Sequence, residues 1–205
     1  MNILGRCGLE GEVVHTTPPA VGLTYWDFGN ISANGRISAS SPANSISNWI
    51  HYALVASQTG NFMRIYTNGV LQANFAAMSP FVRGNYELRI GGGSNAPYNG
   101  RLDDFRVWNS ARSQAEIQAN FNQPLIGNET NLLVYYRFDS TAGNVVSNSA
   151  VATGPAFNGT LINSPAWLSP GLAGSALVVS NNLSSGPGSL RQAILDSNAN
   201  PVPND

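Results

Sequence analysis

Two adjacent carboxylates, Asp103 and Asp104, are the acidic residues whose setting in the sequence could support chemistry. Glycoside hydrolysis needs two carboxylates about 5–10 Å apart that reach the same substrate. Neighbouring residues of a strand point to opposite faces, so this pair cannot do so from a regular strand. The chain also contains no Glu-x-Asp-x-Glu string, which would place acids on one strand face. The sequence therefore predicts that the protein is not an enzyme.

Four aromatic residues beside predicted loops could stack on a sugar ring while Asn, Asp or Arg side chains bind its hydroxyl groups. They are Tyr25, Trp26, Tyr98 and Trp108. The alternative for each is packing in the core or at its rim, since Trp and Tyr side chains are usually mostly buried. We treat the four as candidate ligand-binding residues and keep both interpretations open.

The histidines and the cysteine offer little chemistry. His15 and His51 have no neighbouring serine or cysteine in a nucleophile setting, and His51 is interpreted as a strand residue that hydrogen-bonds across a sheet. A single cysteine, Cys7, excludes an internal disulfide and a Cys/His zinc cluster. The fold must therefore be stabilised by its hydrophobic core or by a hard cation.

The composition excludes two classes of partner. The 205 residues are 42% hydrophobic and 10% charged, and 11 acidic residues nearly balance 10 basic ones, all of them arginine. The net charge of −1 lacks the positive field that attracts nucleic acid. Apolar runs such as YALVA at residues 52–56 are far shorter than the roughly 20 residues of a membrane-spanning helix. The sequence predicts no nucleic-acid partner and no membrane insertion.

Turn and strand signals together predict an all-β protein. Asn-Gly, which tolerates the positive φ of tight turns, occurs at residues 34–35, 68–69, 99–100 and 158–159. Around the second of these, FMRIYT and VLQA predict a hairpin. Further strands are predicted over residues 23–28, 49–56, 86–90, 102–108 and 132–138, the last with apolar residues on both faces. This spacing is typical of an antiparallel β-sandwich or barrel.

Two short helices interrupt the strands, and a linker separates them. Ser113 with Glu116, and Ser189 with Gln192, match the capping-box spacing at a helix start. Proline and glycine are frequent over residues 164–174. We therefore predict an irregular or remnant segment over residues 1–22, one domain over residues 23–170, and a linker followed by a capping segment over residues 171–205.

The order of several motifs resembles a laminin G-like, concanavalin A-like jelly-roll domain. The matching strings are WIHYALV at 49–55, IYTNG at 65–69, LRIGG at 88–92, GRLDDFRVWN at 100–109, ARSQAEI at 111–117 and LVYYRFD at 133–139. The resemblance implies an antiparallel β-sandwich of the jelly-roll type with one or two short helices. It also implies that the family's opening strands precede the visible pattern, since residues 1–22 show no equivalent.

The same resemblance implies a structural calcium ion held in part by Asp103, with Asp27 and Asn30 as less favoured candidates. Calcium takes six to eight oxygen ligands, many of them backbone carbonyls. The alternative is that Asp103 accepts backbone N–H groups in a tight turn and that Asp104 pairs with Arg106. Both alternatives remain open at this point.

The C-terminal segment resembles the entry to a bacterial right-handed parallel β-helix. It combines LVVSNN at residues 177–182 with SGPGSLRQAI at residues 185–194. In such proteins a short helix caps the open hydrophobic end of the solenoid. We therefore expect a piece of a secreted bacterial multidomain protein, with its signal peptide outside this chain and its location extracellular or at the cell surface.

These observations favour a non-catalytic recognition or adhesion module that binds a glycan or an extracellular protein ligand. Its other partners would be further domains of the same polypeptide. An alternative is a structural spacer that presents a β-helix. A further alternative places a polysaccharide-cleaving enzyme in the appended solenoid, by analogy of fold alone.

Overall fold

The structure, a computed structural model, describes residues 5–7, 13–16, 22–28, 33–42, 48–78, 88–91 and 100–168. Its first strands are β1 Gly5–Cys7, β2 Val13–Thr16, β3 Leu23–Asp27, β4 Arg36–Ser40, β5 Tyr52–Ser57, β6 Phe62–Thr67, β7 Val70–Phe75 and β8 Leu88–Ile90. Then come β9 Phe105–Trp108, helix α1 Gln114–Asn120, β10 Leu132–Tyr136, β11 Val145–Val146, a 3-10 helix Gly154–Phe157 and β12 Gly159–Thr160. The prediction of an all-β protein is confirmed.

The described strands form antiparallel sheets. A five-stranded sheet has the order β4-β3-β2-β1-β8, and a three-stranded sheet has the order β5-β6-β7. β9 pairs with β10, and β11 pairs with β12. The predicted hairpin is present as β6 and β7, because Asn68 and Gly69 adopt φ values of 47° and 75° at its turn. Asn158 instead has an extended backbone after the 3-10 helix, so the same dipeptide makes no hairpin turn there.

The five-stranded and three-stranded sheets share a hydrophobic core. β4 lies against β6 and β7. Trp26, Ile37 and Ala39 from the first sheet pack against Met63 and Ile65 from the second. Trp26, Ile37 and Ala39 alternate with more polar neighbours along their strands, as in a sheet with one apolar face. The two layers form the sandwich that the sequence predicts.

Helix α1 covers the other face of the three-stranded sheet. Its Ile117 is buried with Val55 and Tyr66 in a second cluster. Ser113 begins the helix as predicted: its hydroxyl accepts the Glu116 N–H, and the Glu116 carboxylate accepts the Ser113 N–H. Both faces of the three-stranded sheet therefore contribute buried residues, while β7 at its edge is largely exposed.

Strand β10 is also covered on both sides, as its sequence predicts. Leu132 and Tyr135 are fully buried and Val134 is nearly so. A register shift between Leu132 and Val134 interrupts the pairing with β9. Leu132, Tyr135, Leu125 and Ala150 form a third cluster against Trp108.

Two expectations about the strands are corrected, and three further strands were not predicted. Residues 1–22 are not irregular throughout, because β1 and β2 lie there and β2 pairs with β3. Short strands flanked by glycine give a weak signal, and pairing with the strong strand β3 decides their structure. β9 begins at Phe105 rather than at residue 102, because Asp104 has a φ of 52° that no strand accommodates. β4, β11 and β12 were not predicted.

Several predictions fall on residues that the structure does not describe. They are the second capping box at Ser189, the segment over residues 171–205 and the Asn99 half of one turn. Of the strand predicted over residues 86–90, the structure describes β8, which begins at Leu88. Within the described ranges, no helix has the length and apolar character needed to cross a membrane.

Replacing Gly127 with alanine tests a close backbone contact between two loops. Gly127 has a φ of 105°, and a Cβ atom there would overlap the Ser149 carbonyl oxygen. Gly143 is the matched control, since its φ is 88° but no atom lies within 4 Å of an added Cβ. We expect G143A to lower the free energy of unfolding by about 1–3 kcal/mol and G127A by roughly 2 kcal/mol more. Equal losses in urea denaturation would contradict the contact.

The stability of the protein at acid pH tests the burial of His51. Burial, with repulsion from charges that include Arg106, lowers the pKa of His51 to about 2, and its Nδ1 has no hydrogen-bond partner among the described residues. The unfolded chain protonates this histidine near its ordinary pKa and the folded state resists protonation. His51 thus favours folding above about pH 6.5, and this contribution is lost as the pH falls.

We therefore expect H51F, which keeps an aromatic ring beside Phe121 but cannot be protonated, to depend less on pH than the wild type. Between pH 7 and 5 the wild type should lose roughly 2 kcal/mol more free energy of unfolding than the variant. Urea denaturation at each pH measures the difference. The same acid dependence in both proteins would show that His51 is not the titrating group.

Candidate functional site

The outer face of the five-stranded sheet carries a row of polar residues. Cross-strand pairing places Tyr25 opposite Ser38, Asp27 opposite Arg36 and Leu23 opposite Ser40. Directly paired residues lie on the same face of a sheet. Arg36, Ser38 and Ser40 are exposed, whereas Ile37 and Ala39 between them are buried in the core. We call the surface formed by Tyr25, Asp27, Arg36, Ser38 and Ser40 the Tyr25 face.

An ion pair with two hydrogen bonds fixes the geometry of this face. Arg36 Nε and Nη2 donate to the two carboxylate oxygens of Asp27, each at 2.6 Å. The Asp27 side chain is 7% exposed, while that of Arg36 is 41% exposed. The hydrogen bonds to Asp27 raise the pKa of Arg36 above its ordinary value, against the opposing effect of burial. The guanidinium is therefore held at a set orientation with one side open to solvent.

Arg36 also lies over the ring of Tyr25. Its Cζ is 5.2 Å from the ring centroid, and the tyrosine is half-buried. A guanidinium has five N–H groups, of which the bonds to Asp27 use two. The other N–H groups can donate to the hydroxyl groups of a ligand, and the hydroxyl groups of Ser38 and Ser40 can donate or accept. An oriented donor beside an aromatic ring is an arrangement that suits a sugar.

The structure separates the four aromatic candidates. Tyr25 lies on the Tyr25 face, but Trp26 is 4% exposed and packs edge-on to Phe28 in the core. This corrects the prediction for Trp26, because strand alternation turns it away from its neighbour Tyr25. Trp108 is half-buried, with the Arg112 guanidinium 4.1 Å from its ring centroid. Tyr98 and Asn30 lie outside the described residues.

Asp103 and Asp104 make the contacts expected if Asp103 serves in a tight turn and Asp104 pairs with Arg106. They precede β9, so the rule of opposite strand faces does not apply to them. The Asp103 Oδ1 accepts the Asp104 N–H at 2.9 Å, and an Asp104 oxygen lies 3.2 Å from Arg106 Nη2. The other Asp104 oxygen accepts the Tyr135 hydroxyl at 2.7 Å. Asp27, the other acid considered for a cation, is bound to Arg36.

The described residues give no further support for a calcium ion at Asp103. Among them, no three His, Cys, Asp or Glu side chains lie close enough together to hold a metal ion. Asp104 is already bound by Arg106 and Tyr135, and Asp103 by a backbone N–H. Calcium at this position stays a prediction from the family resemblance.

A buried arginine organises the polar cluster behind Asp104. Arg106 is 3% exposed and donates to the carbonyl oxygens of Asn120 at 2.7 Å and Gln123 at 2.6 Å. It therefore joins β9 to the segment that follows α1. The Tyr135 hydroxyl accepts the Leu125 N–H at 3.0 Å, which ties the same segment to β10. These contacts fix the position of the segment after α1. One carboxylate oxygen of Asp104 is bound by Arg106 and the other by Tyr135, so neither is available for chemistry.

Sequence reasoning missed Arg36, Ser38 and Ser40. The string RISAS after Asn34-Gly35 alternates polar and apolar residues, which is the signal of a half-buried strand. This signal could have found β4 and its exposed face. The bidentate contact with Asp27 could not have been read from the sequence, because it depends on the register of β3 and β4.

Comparison with known proteins supports the fold. A family model described as the concanavalin A-like lectin/glucanases superfamily matches residues 16–118, about half of the chain. A putative carbohydrate binding protein from Bacteroides ovatus superposes with a TM-score of 0.57 at 20% identity, over 72% of this chain and 44% of that protein. An S-layer domain-containing protein from Clostridium thermocellum gives a TM-score of 0.32 at 18% identity, over 56% of this chain and 64% of that one, which is too weak to argue from.

The chain matches no curated protein. The matched region spans less than half of the Bacteroides ovatus protein. None of these comparisons supports the β-helix resemblance of the C-terminal segment, which also lies outside the described residues. At 20% identity the solved structure bears on the fold alone.

Replacing Tyr135 with phenylalanine tests the cluster behind Asp104. The change removes the hydroxyl that binds the Leu125 N–H and Asp104, and it leaves the buried Leu125 N–H and one oxygen of the partly buried Asp104 short of a partner. We expect the free energy of unfolding to fall by about 1–3 kcal/mol. Y136F is the control, because the Tyr136 hydroxyl donates to one carbonyl, of Phe157, near the surface. An equal or larger loss in Y136F would contradict this role.

Proposed function

The chain belongs to the concanavalin A-like lectin/glucanases superfamily, and from that premise we propose that it is a non-catalytic recognition module that binds a glycan on the Tyr25 face. Sugar rings would lie across β3 and β4, beside the Tyr25 ring. Arg36, Ser38 and Ser40 would bind the sugar hydroxyl groups. The orientation of Arg36 by Asp27 is the observation that carries this proposal.

A pre-oriented arginine lowers the cost of binding. Immobilising a rotamer-rich side chain on association costs about 0.5–1.5 kcal/mol. In Arg36 the guanidinium is already held by Asp27 and by the ring of Tyr25 before any ligand arrives. The flanking serines are short and exposed, so the face is shallow and open to an extended chain. These features favour a polysaccharide over a small ligand that needs an enclosing pocket.

The arrangement of acids supports binding without hydrolysis. Cleavage of a glycosidic bond needs a second carboxylate roughly 5–9.5 Å from the first, with access to the sugar. On the Tyr25 face, within the described residues, the acid is Asp27, and its carboxylate is buried and bound to Arg36. Both oxygens of this carboxylate already accept hydrogen bonds from Arg36, so it is poorly placed to attack a sugar.

We further propose that the module works in adhesion, outside a bacterial cell, as part of a larger protein. The carbohydrate-binding name of the Bacteroides ovatus protein supports this, as does the fact that the match covers 44% of that longer chain. One shallow site gives modest affinity, and repeated modules would add avidity. A structural spacer is the competing function, and the binding test below distinguishes the two.

Binding to immobilised polysaccharides tests the proposal. The folded chain should bind at least one polymer of a broad panel, and Y25A should weaken that binding roughly tenfold or more. R64A is the matched control. Arg64 also makes one arginine–aromatic contact in a strand, with Phe62 at 4.0 Å, but it lies on the three-stranded sheet. We expect R64A to bind like the wild type.

A folding control and a comparison in calcium and in chelator complete the experiment. Circular dichroism and thermal melts establish that both variants are folded before binding is compared. Each measurement is made in calcium and in chelator, so that a raised melting midpoint in calcium would support a bound ion. A folded wild type that binds no polymer would favour the spacer function. Equal losses in Y25A and R64A would place the site away from the Tyr25 face.

A further inference from the structure

Three Asn-Gly dipeptides lie wholly within the described residues, and they differ in how the asparagine side chain is held. They begin at Asn34, Asn68 and Asn158, and all three asparagines are exposed. In any Asn-Gly pair the backbone nitrogen of glycine can attack the side-chain carbonyl carbon, since glycine has no side chain to block the approach. The asparagine amide must rotate to bring its carbonyl carbon to that nitrogen. A hydrogen bond to the amide oxygen opposes this rotation.

Asn68 and Asn158 are both held in this way. The Asn68 Oδ1 accepts the backbone N–H of His51 at 2.9 Å, and the Asn68 N–H donates to the His51 carbonyl at 2.9 Å. The Asn158 Oδ1 accepts the backbone N–H of Asn148 at 2.8 Å, and the Asn158 N–H donates to the Pro155 carbonyl at 3.1 Å. Attack at either position would first break a hydrogen bond to the backbone.

Asn34 lies in the turn between β3 and β4 without such a bond. Its φ is 63°, and within the described ranges no group hydrogen-bonds to its side chain. The turn is closed by the Phe28 N–H, which donates to the Gly35 carbonyl at 2.7 Å and leaves the Gly35 nitrogen uninvolved in that bond. The Asn34 amide is therefore the one of these three whose rotation costs no backbone hydrogen bond.

We propose that Asn34 is a site of spontaneous deamidation in the folded protein. The Gly35 nitrogen forms a bond to the Asn34 side-chain carbonyl carbon and gives up its proton, and the bond from that carbon to the amide nitrogen breaks, so that ammonia leaves. The product is a five-membered succinimide ring. Water then opens the ring at one of its two carbonyls. Opening at the main-chain carbonyl gives isoaspartate, and opening at the side-chain carbonyl gives aspartate.

Either product changes the Tyr25 face. Residue 34 lies two positions before Arg36, and the pair of Asp27 and Arg36 is the end of the β3–β4 ladder next to this turn. A new carboxylate at position 34 would compete with Asp27 for the guanidinium. Isoaspartate would also add a methylene to the main chain of the turn. The inference itself does not depend on glycan binding, since the conversion can be followed in the protein alone.

Peptide mapping by mass spectrometry tests the proposal on the 205-residue chain. The wild type is incubated in mildly alkaline buffer, folded in one sample and denatured in another, and conversion of amide to acid is followed at all three asparagines. In the folded sample Asn34 should convert roughly fivefold or more faster than Asn68 and Asn158, the factor that corresponds to one ordinary hydrogen bond. In the denatured sample the three rates should approach each other.

The variant N34G is the control. Glycine accepts the positive φ of the turn and has no amide, so it should remove the conversion at this position and leave the other two unchanged. Circular dichroism confirms that the incubated samples keep their fold. Asn34 staying unconverted in the folded protein, or converting no faster than Asn68 and Asn158, would overturn the proposal.

Discussion

The rest of the structure depends on the packing of Trp26, Ile37 and Ala39 against Met63 and Ile65 between two sheets. Because side chains alternate along a strand, burying one set of residues in β3 and β4 turns the other set outward. That constraint places Tyr25 and Ser38 on the same exposed face while Trp26 and Ile37 enter the core. The candidate binding surface is thus a direct consequence of how the core is built.

The three-stranded sheet is supported from both sides, and this rigidifies the opposite layer of the sandwich. Helix α1 packs Ile117 onto Val55 and Tyr66, away from the shared core. The segment after the helix is then held by buried polar contacts of Arg106 and Tyr135. Such groups are tolerated in the interior because hydrogen bonds satisfy most of their donors and acceptors. Charged residues are few in this chain, and some of them, such as Arg106, form buried hydrogen bonds that join separate segments.

Two of the five residues of the Tyr25 face, Asp27 and Arg36, are charged. Asp27 and Arg36 are paired, so the five residues of the Tyr25 face present an oriented guanidinium, an aromatic ring and hydroxyl groups. The same cross-strand row continues through β2 and β1 to Arg89 of β8. The proposed conversion of Asn34 would act on this surface, because residue 34 precedes the strand that carries Arg36.

Local patterns in the sequence were enough for the all-β class, the β6–β7 hairpin and the start of helix α1. Asn68-Gly69 and the Ser113–Glu116 capping box act over a few residues, so their signals survive without tertiary context. The family resemblance added the concanavalin A-like superfamily, which the match over residues 16–118 confirms. The sequence also contained Tyr25 as a candidate, through its residue type and its position beside a loop.

Tertiary structure alone decided which candidates are accessible and which charges are paired. Trp26 and Tyr25 are neighbours of similar character, and only the side on which the three-stranded sheet packs determines that the tryptophan is buried. The pairing of Asp27 with Arg36 and of Asp104 with Arg106 depends on strand register and on the backbone turn before β9. Register and layer contacts join residues far apart in the chain, so no local pattern contains them.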